Sequence, residues 1–343
     1  MPETVFDFAI FGSTPFAGLL AGLLARDHGK RVLRVGRRVS PQRLPRRLEM
    51  ALTLASRPHT WKVLRDADAE IRRLLPSLGA ASALSLADVE VRADTEATAI
   101  ALAHAAHLAL AHGMQVRQTR AGWIFRDVTT LGAEALEVAL AAWLTALGVG
   151  AAEPDEATIS FARGGAAELA TVSGPIVLAD DAALVDLLPD DARSDRLLVH
   201  SLTATLTSAT RRLPAAVVHF PDRGVRLVQR GGAVLGLVDG DADVEARLAS
   251  TLAPPFPIRR VATGRSRRML TGDGAPLIGV VKPSRLFVVA GLGDAETFFA
   301  PAVARLLAGV APDEEKRWFA AHDPARQSRV AVADFNAAAE VAP

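Results

Sequence analysis

Residues Val5–Gly18, VFDFAIFGSTPFAG, decide the fold of this chain. The apolar run Val5–Phe11 predicts a buried strand, and Gly12 permits a sharp turn at its end. The next residues, Leu19–Gly29 (LLAGLLARDHG), have helical periodicity and end at a glycine, which is typical of a helix C-terminus. A second strand is predicted over Lys30–Val35 (KRVLRV). The stretch therefore predicts a βαβ unit.

The turn between the first strand and the helix is suited to the pyrophosphate of a dinucleotide. A helix N-terminus directs N–H groups and a partial positive charge toward an anion. Gly12 has the first position of the glycine fingerprint, and the small residues Thr14 and Ala17 have the second and third. We predict that Gly12, Ser13, Thr14, Pro15 and Ala17 bind a cofactor, the alternative being an α/β turn that binds nothing.

The second predicted strand lacks the acid that usually binds the ribose hydroxyls of a dinucleotide. Gly36 stands at that position and is followed by Arg37 and Arg38. These two arginines are candidates for contact with a cofactor phosphate, as in an NADP site, or are solvated loop charges. An NAD(P)-dependent enzyme that uses them is a further hypothesis.

Composition limits the function classes. The chain has 343 residues, of which 50% are hydrophobic and 22% charged, as expected of a folded globular protein. The 39 Lys+Arg and 38 Asp+Glu residues nearly cancel, which argues against nucleic acid as the main partner. The sequence contains no Cys and no Tyr, so disulfides, thiolate metal sites, cysteine nucleophiles and catalytic tyrosines are excluded.

Targeting and metal signals are also missing from the pattern. The acidic start, Met-Pro-Glu, does not resemble a signal peptide, and the longest apolar runs are shorter than the ~20 residues that span a bilayer. His104 and His107 are three residues apart on a predicted helix, but no carboxylate follows at a known ligand spacing. We predict a cytoplasmic protein with no membrane span and no metal site.

The middle of the chain alternates between the two element types. Residues 41–120 are predicted to be mostly helical, and Gln115–Thr119 and Trp123–Val128 are predicted strands. Ala133–Leu147 predicts an amphipathic helix, after which short strands lead to the buried strand Pro175–Ala179. Residues 194–262 alternate apolar and polar residues between Gly-containing turns, which predicts an antiparallel meander.

The C-terminal part carries a longer motif. Arg268–Gly279 reads RMLTGDGAPLIG, and the predicted strand Arg285–Ala290 and the turn Gly291–Pro301 (GLGDAETFFAP) follow it. This stretch resembles the end of the D-amino-acid oxidase/glycine oxidase family of flavoproteins, and the opening βαβ pattern resembles the beginning of the same family. Met269 replaces the proline of the family motif. Seven residues match the motif in order and spacing: Arg268, Thr271, Asp273, Gly274, Pro276, Ile278 and Gly279.

The resemblance implies an α/β fold in which a Rossmann-like FAD-binding domain is interleaved with an antiparallel-sheet substrate domain. On this basis we assign residues 1–60, 130–192 and 263–330 to the FAD-binding domain. Residues 61–129 and 193–262 form the substrate domain, and residues 331–343 form a tail. The implied cofactor is FAD.

The resemblance also implies site residues and an activity. Arg268 matches an arginine that anchors a substrate carboxylate in some members, and such an anchor forms two parallel N–H···O bonds. Alternatively it is a loop charge or the partner of Asp273. Gly291, Gly293, Asp294 and Glu296 belong to the turn near the flavin. The expected activity is oxidation of a C–N bond of an amino acid or secondary amine by hydride transfer to FAD.

Three positions depart from the family pattern. Gly36 replaces the ribose-binding acid, Asp181 stands where a small glycine is usual, and Glu296 replaces a glycine of the flavin-proximal turn. A carboxylate beside a pyrophosphate or a reduced flavin costs electrostatic energy unless it is paired or turned away. The alternative function is therefore a degenerate flavin-fold protein without its own redox catalysis, acting as a subunit or maturation partner of another enzyme.

Overall fold

The computed structural model describes residues 5–37, 48–52, 54–161, 167–169, 171–190, 197–208, 212–241, 243–251 and 259–326. The strands of the first half are β1 (Phe8–Phe11), β2 (Val32–Val35), β3 (Glu49–Met50), β4 (Leu84–Arg92), β5 (Val116–Gln118), β6 (Gly122–Leu131), β7 (Gly150–Ala152), β8 (Ser160–Phe161) and β9 (Ala167–Glu168). Those of the second half are β10 (Ile176–Leu178), β11 (Leu197–Ser208), β12 (Val217–Phe220), β13 (Val225–Arg230), β14 (Ala233–Asp239), β15 (Arg259–Thr271), β16 (Leu277–Val281) and β17 (Leu286–Ala290). The helices are α1 (Pro15–His28), α2 (Pro58–Ser77), α3 (Glu96–Ala111), α4 (Ala133–Ala146), α5 (Asp181–Leu187), α6 (Val244–Thr251), α7 (Ala300–Leu307) and α8 (Asp313–Ala321).

One sheet is mainly parallel and has the strand order β16-β17-β10-β1-β2-β7. Strand β1 lies between β10 and β2 and is parallel to both, whereas β16 is antiparallel to β17. The predicted βαβ unit is confirmed as β1, α1 and β2. All four residues of β1 are buried, as expected of a strand with neighbours on both sides and helices above.

Helix α1 ends at Gly29 as the sequence predicts, but it begins at Pro15, four residues before the predicted start at Leu19. Thr14 is its N-cap, Pro15 has the first helical position, and Gly29 ends the helix with a left-handed φ of 61°. The helix packs closely against α4, since a Cβ added at Gly22 would lie 2.0 Å from the Trp143 ring. Apolar residues of α1 are therefore buried between the sheet and the neighbouring helices.

The second sheet is mainly antiparallel. Its order is β15-β11-β14-β13-β12-β4-β6-β3, with β5 paired to β6, and β12 and β4 form its one parallel junction among the described strands. The meander predicted for residues 194–262 is confirmed by β11 to β14. The prediction that residues 41–120 are mostly helical is wrong for Leu84–Arg92, which forms β4 in the middle of this sheet.

The predicted fold class is confirmed, with a Rossmann-like parallel sheet beside an antiparallel sheet. Two strands of the antiparallel sheet contain residues that we predicted to belong to the FAD-binding domain. Residues 49–50 (β3) pair within the antiparallel sheet, and so does the whole of β15, which runs through position 263. The domain boundaries stay predictions, and the tail 331–343 lies outside the described residues.

A buried ion pair holds the C-terminal motif against the end of the described chain. Arg326 donates from Nη2 to both carboxylate oxygens of Asp273, at 2.9 and 2.8 Å, and from Nη1 to the Pro276 carbonyl at 2.8 Å. The two side chains are only 8% and 4% exposed. Asp273 thus has a structural role, because it fixes the loop between β15 and β16.

Two absences hold for the part of the chain that the structure describes. No helix in it is long and apolar enough to cross a bilayer. No group of three or more His, Asp or Glu side chains within the same ranges is arranged to hold a metal ion.

Candidate functional site

The five predicted residues of the first turn lie together after β1, with Gly12, Ser13 and Thr14 between the strand and α1 and with Pro15 and Ala17 in the first turn of that helix. The Gly12 N–H donates to the Val35 carbonyl of β2 at 2.9 Å, which holds the start of the turn against the neighbouring strand. A Cβ added at Gly12 would lie 2.7 Å from Cβ of Ala17, so the first position requires glycine. Thr14 Oγ1 accepts the Ala17 N–H at 3.5 Å, and Pro15 has no N–H.

The end of β2 explains why no acid follows that strand. A Cβ added at Gly36 would lie 2.4 Å from the Gly12 carbonyl oxygen and 3.1 Å from Ser13 Oγ. Backbone atoms form this contact, so no side chain fits at residue 36 unless the turn moves. Arg37, the next residue, is exposed, and Arg38 lies outside the described residues. Their contact with a cofactor phosphate stays a prediction.

The carboxylate that contacts the turn is that of Asp180, one residue before the Asp181 that the sequence singled out. Asp180 follows β10 and is only 4% exposed. Its Oδ2 accepts the Ser13 N–H at 2.6 Å, and its Oδ1 accepts the Ala183 N–H at 2.8 Å. The side chain therefore caps α5 and at the same time bonds to the turn that precedes α1.

These contacts test whether the turn fits the dinucleotide cofactor that the fold implies. An anion at a helix N-terminus needs N–H donors that no other acceptor has taken. Here the Ser13 N–H bonds to Asp180, the Ala17 N–H bonds to Thr14, and Pro15 has none. In this conformation the turn offers a pyrophosphate no well-placed N–H at Ser13, Pro15 or Ala17, and the Asp180 carboxylate adds a negative charge beside it, so the turn fits a pyrophosphate poorly. It would fit one well only with the Asp180 carboxylate away from Ser13.

The second predicted turn, after β17, is also tightly packed. Gly291 has a left-handed φ of 79°, and a Cβ there would lie 2.8 Å from Thr271 Cγ2. Gly293 begins a 3₁₀ segment in which Glu296 is 5% exposed. The Thr297 N–H of this segment donates to Glu49 at 3.0 Å, and Glu49 is 1% exposed. Carboxylates from β3 and from the turn are thus buried at this place.

A polar cluster forms where this turn meets the antiparallel sheet, and we define it as His219, Arg226, Asp239, Arg268 and Asp294. Asp294 of the turn forms an ion pair with Arg226 of β13, and Arg226 is the register partner of His219 on β12. Arg268 of β15 donates to Asp239 of β14 at 2.6 Å. The structure gives two predicted site residues a charged partner on the antiparallel sheet, Arg268 with Asp239 and Asp294 with Arg226, and both pairs act electrostatically on His219. It places Gly12, Ser13, Thr14, Pro15 and Ala17 in the separate turn after β1.

Charges of the polar cluster act on the half-buried imidazole of His219. Desolvation lowers the pKa of His219 to about 3, and the positive charge of Arg226 acts in the same direction. Asp294 and Asp239 oppose this shift, and Arg268 adds to it. His219 is therefore neutral at physiological pH and available as a hydrogen-bonding group without charge.

Comparison with known proteins supports the fold. No family profile matches the sequence, and no curated protein does. Glycine oxidase from Geobacillus kaustophilus has 19% identity and a TM-score of 0.68, with 96% of this chain and 99% of that chain covered. The chain has the glycine oxidase fold.

Two further structures share the glycine oxidase fold with this chain. L-proline dehydrogenase from P. horikoshii has 13% identity and a TM-score of 0.70, with 93% of this chain and 97% of that chain covered. Iminodiacetate oxidase from Chelativorans sp. BNC1 has 15% identity and a TM-score of 0.66, with 89% and 96% covered. The family resemblance that the two terminal motifs predict is thus confirmed at the level of fold.

Sequence reasoning missed Asp180, His219, Arg226 and Asp239. Signals for two of them exist, because His219 and Arg226 interrupt the apolar strands VVHF and VRLV. A polar residue within a buried strand requires a partner, so each is a candidate for a site or a structural pair. Asp180 ends the apolar run IVLA and has the position of an N-cap, but its bond to Ser13 has no local signal.

The contact between Gly36 and Gly12 generates a first prediction. Replacing Gly36 with Ala is expected to lower the free energy of unfolding by about 1–3 kcal/mol, because the new Cβ overlaps backbone atoms. Urea denaturation followed by circular dichroism measures this change. Gly232→Ala is the matched control, since a Cβ there has no neighbour within 4 Å, and its stability should stay within about 0.5 kcal/mol of the wild type. If Gly36→Ala were as stable as the wild type, the close approach of residue 36 to the Gly12 carbonyl would be contradicted.

His219 generates a second prediction. Between pH 6.5 and about 3 the unfolded chain binds a proton at this residue that the folded chain excludes, so stability falls as the pH falls. The contribution is about 1.4 kcal/mol per pH unit within that window. Urea midpoints measured at several pH values should therefore decline less steeply for His219→Gln than for the wild type. Equal slopes for the two proteins would show that the folded chain binds a proton at His219 as readily as the unfolded chain does, and hence that folding does not lower the pKa of this residue.

Proposed function

We propose that this protein is an FAD-dependent oxidoreductase that oxidises a C–N bond of an amino acid or a secondary amine. The observation that carries the proposal is the place of Arg268, in the polar cluster that contains Asp294 of the turn after β17. The glycine oxidase fold adds support, since structures with that fold bear the names glycine oxidase, L-proline dehydrogenase and iminodiacetate oxidase.

Arg268 is the proposed anchor for a substrate carboxylate. Its guanidinium is a quarter exposed and donates to Asp239 through one terminal nitrogen. A guanidinium has five N–H donors, so it can bind a ligand carboxylate while it stays in contact with an aspartate. His219 would contribute a neutral imidazole that can form a hydrogen bond. The positive charge that binds the anion would come from Arg268. When bound, FAD would supply the hydride acceptor.

A second candidate function is favoured by one observation. The bond between Asp180 and Ser13 closes the first turn to a pyrophosphate, and the buried Glu296 adds a carboxylate to the turn after β17. A chain in which this closure is permanent would act without its own redox chemistry, as a subunit or maturation partner of another enzyme. The two candidates differ in whether the protein binds FAD.

An absorbance spectrum of the purified protein, alone and with added FAD, tests the proposed function. We expect flavin bands in the near-ultraviolet and the visible range, and we expect them to bleach without oxygen when an amine or amino acid is added. Glycine, proline and iminodiacetate form the first panel, because they are the compounds named with the similar structures. A protein that shows no flavin bands once excess FAD has been added and the unbound FAD removed would favour the second candidate.

Replacing Arg268 with Ala is expected to raise KM for a carboxylate-bearing substrate roughly 30- to 1000-fold, which corresponds to about 2–4 kcal/mol of lost binding. Steady-state kinetics with the substrate identified above measures it. Arg267→Ala is the matched control, since Arg267 is the exposed neighbour on the same strand and should leave KM within about twofold. An unchanged KM for Arg268→Ala would exclude Arg268 as the anchor.

A further inference from the structure

We propose that the Asp180 carboxylate occupies the place of the cofactor's pyrophosphate, and that its bond to Ser13 limits the affinity of this chain for FAD. The inference deepens the proposed function, and it rests on that function only in taking FAD as the cofactor. It concerns the first turn alone and is independent of substrate and turnover.

The topology brings the carboxylate to the turn. Strands β1 and β10 are parallel neighbours, with Phe11 opposite Leu178. The Ala179 N–H still bonds to the Phe11 carbonyl at 2.8 Å, so the ladder extends one residue beyond β10. Ser13 and Asp180 each lie two residues past a paired position, at the carboxyl ends of the strands. Ligands of open α/β sheets bind at this edge.

The carboxylate makes the contacts of a bound anion. Each of its oxygens accepts a backbone N–H, one from Ser13 at 2.6 Å before α1 and one from Ala183 at 2.8 Å in the first turn of α5. Oδ2 lies 3.3 Å from the position of a Cβ on Gly12, directly against the turn. The side chain is 4% exposed, so water screens its charge poorly.

A pyrophosphate would compete with this carboxylate in two ways. It needs the Ser13 N–H, which already donates to Asp180 and cannot donate a second strong hydrogen bond in the same direction. It also carries negative charge into a place that already holds a buried negative charge, and like charges repel strongly where water is excluded. Binding of FAD therefore requires that the Ser13–Asp180 bond break, whereas the bond from Ala183 can persist.

Asp180→Asn separates the charge from the cap. The Asn side-chain oxygen can still accept the Ala183 N–H, so α5 keeps its N-cap, while the charge beside Ser13 is lost. Asp180→Ser is the second variant and also keeps a capping oxygen. Asp181→Asn is the matched control, because it removes the same charge one residue along, in the first turn of α5. Thermal melting of all variants identifies any that do not fold.

Isothermal titration of the full chain with FAD, and separately with ADP, is the decisive measurement. ADP carries the pyrophosphate but no flavin ring, so it reports on the first turn independently of Glu296. We expect Asp180→Asn and Asp180→Ser to bind both compounds at least tenfold more tightly than the wild type. Asp181→Asn should stay within twofold of the wild type.

Equal affinities of the wild type and both Asp180 variants, including absence of binding in all three, would overturn the inference. An equal gain in affinity for Asp181→Asn would overturn it as well. The gain would then come from removing any negative charge near the turn and not from breaking the Ser13–Asp180 bond. Failure of the proposed function is distinct from either result. Tighter FAD binding by Asp180→Asn without oxidation of any amine would support the inference and contradict the function.

Discussion

The double parallel pairing of β1 brings together the three segments that form the first turn of the candidate cofactor site. Strand β10 on one side and β2 on the other bring their carboxyl ends to the same edge as Gly12. Gly36 at the end of β2 lies against the Gly12 carbonyl, and Asp180 after β10 bonds to Ser13. The composition of this edge therefore depends on three segments that are distant in the chain, and a change in any of them alters the turn.

Charges at both turns are paired within the protein. Asp180 is held by two backbone N–H groups, Asp294 by Arg226, and Arg268 by Asp239. Removing one partner of a buried ion pair or charge-assisted hydrogen bond is costly, because it leaves an uncompensated charge. A ligand that enters either turn must replace these contacts with equally good ones. These internal contacts therefore reduce the net free energy that a cofactor or substrate can gain on binding.

Local patterns predicted the elements, and long-range contacts escaped prediction. The βαβ unit was accessible because its strand, cap, helix and terminal glycine all lie within residues 5–35. The meander was accessible through its alternation of apolar and polar residues. Strand β4 was not predicted because it lies between two helical segments of the sequence, although apolar and polar residues alternate over part of its sequence, LSLADVEVR. The Ser13–Asp180 bond joins residues 167 positions apart, and no spacing rule reports such a contact.

Arg268 shows the same limit within the C-terminal motif. Its nearest acid in sequence, Asp273, pairs with Arg326, while Arg268 pairs with Asp239 from a strand two places across the sheet. The motif identifies which residue types belong to the family pattern. Register and strand order decide which of them meet, and these follow from the packing of the whole sheet.

The order of strands in the parallel sheet has a consequence for biosynthesis. Val177 pairs with Phe287, so β10 acquires one of its neighbours only after more than a hundred further residues have been made. Contacts between such distant segments form slowly, because closing long loops costs chain entropy before any pairing compensates it. The apolar face of α1 consequently has no complete surface to pack on while the ribosome still holds the C-terminal third. Apolar surface that is exposed in this way makes an incomplete chain prone to aggregation.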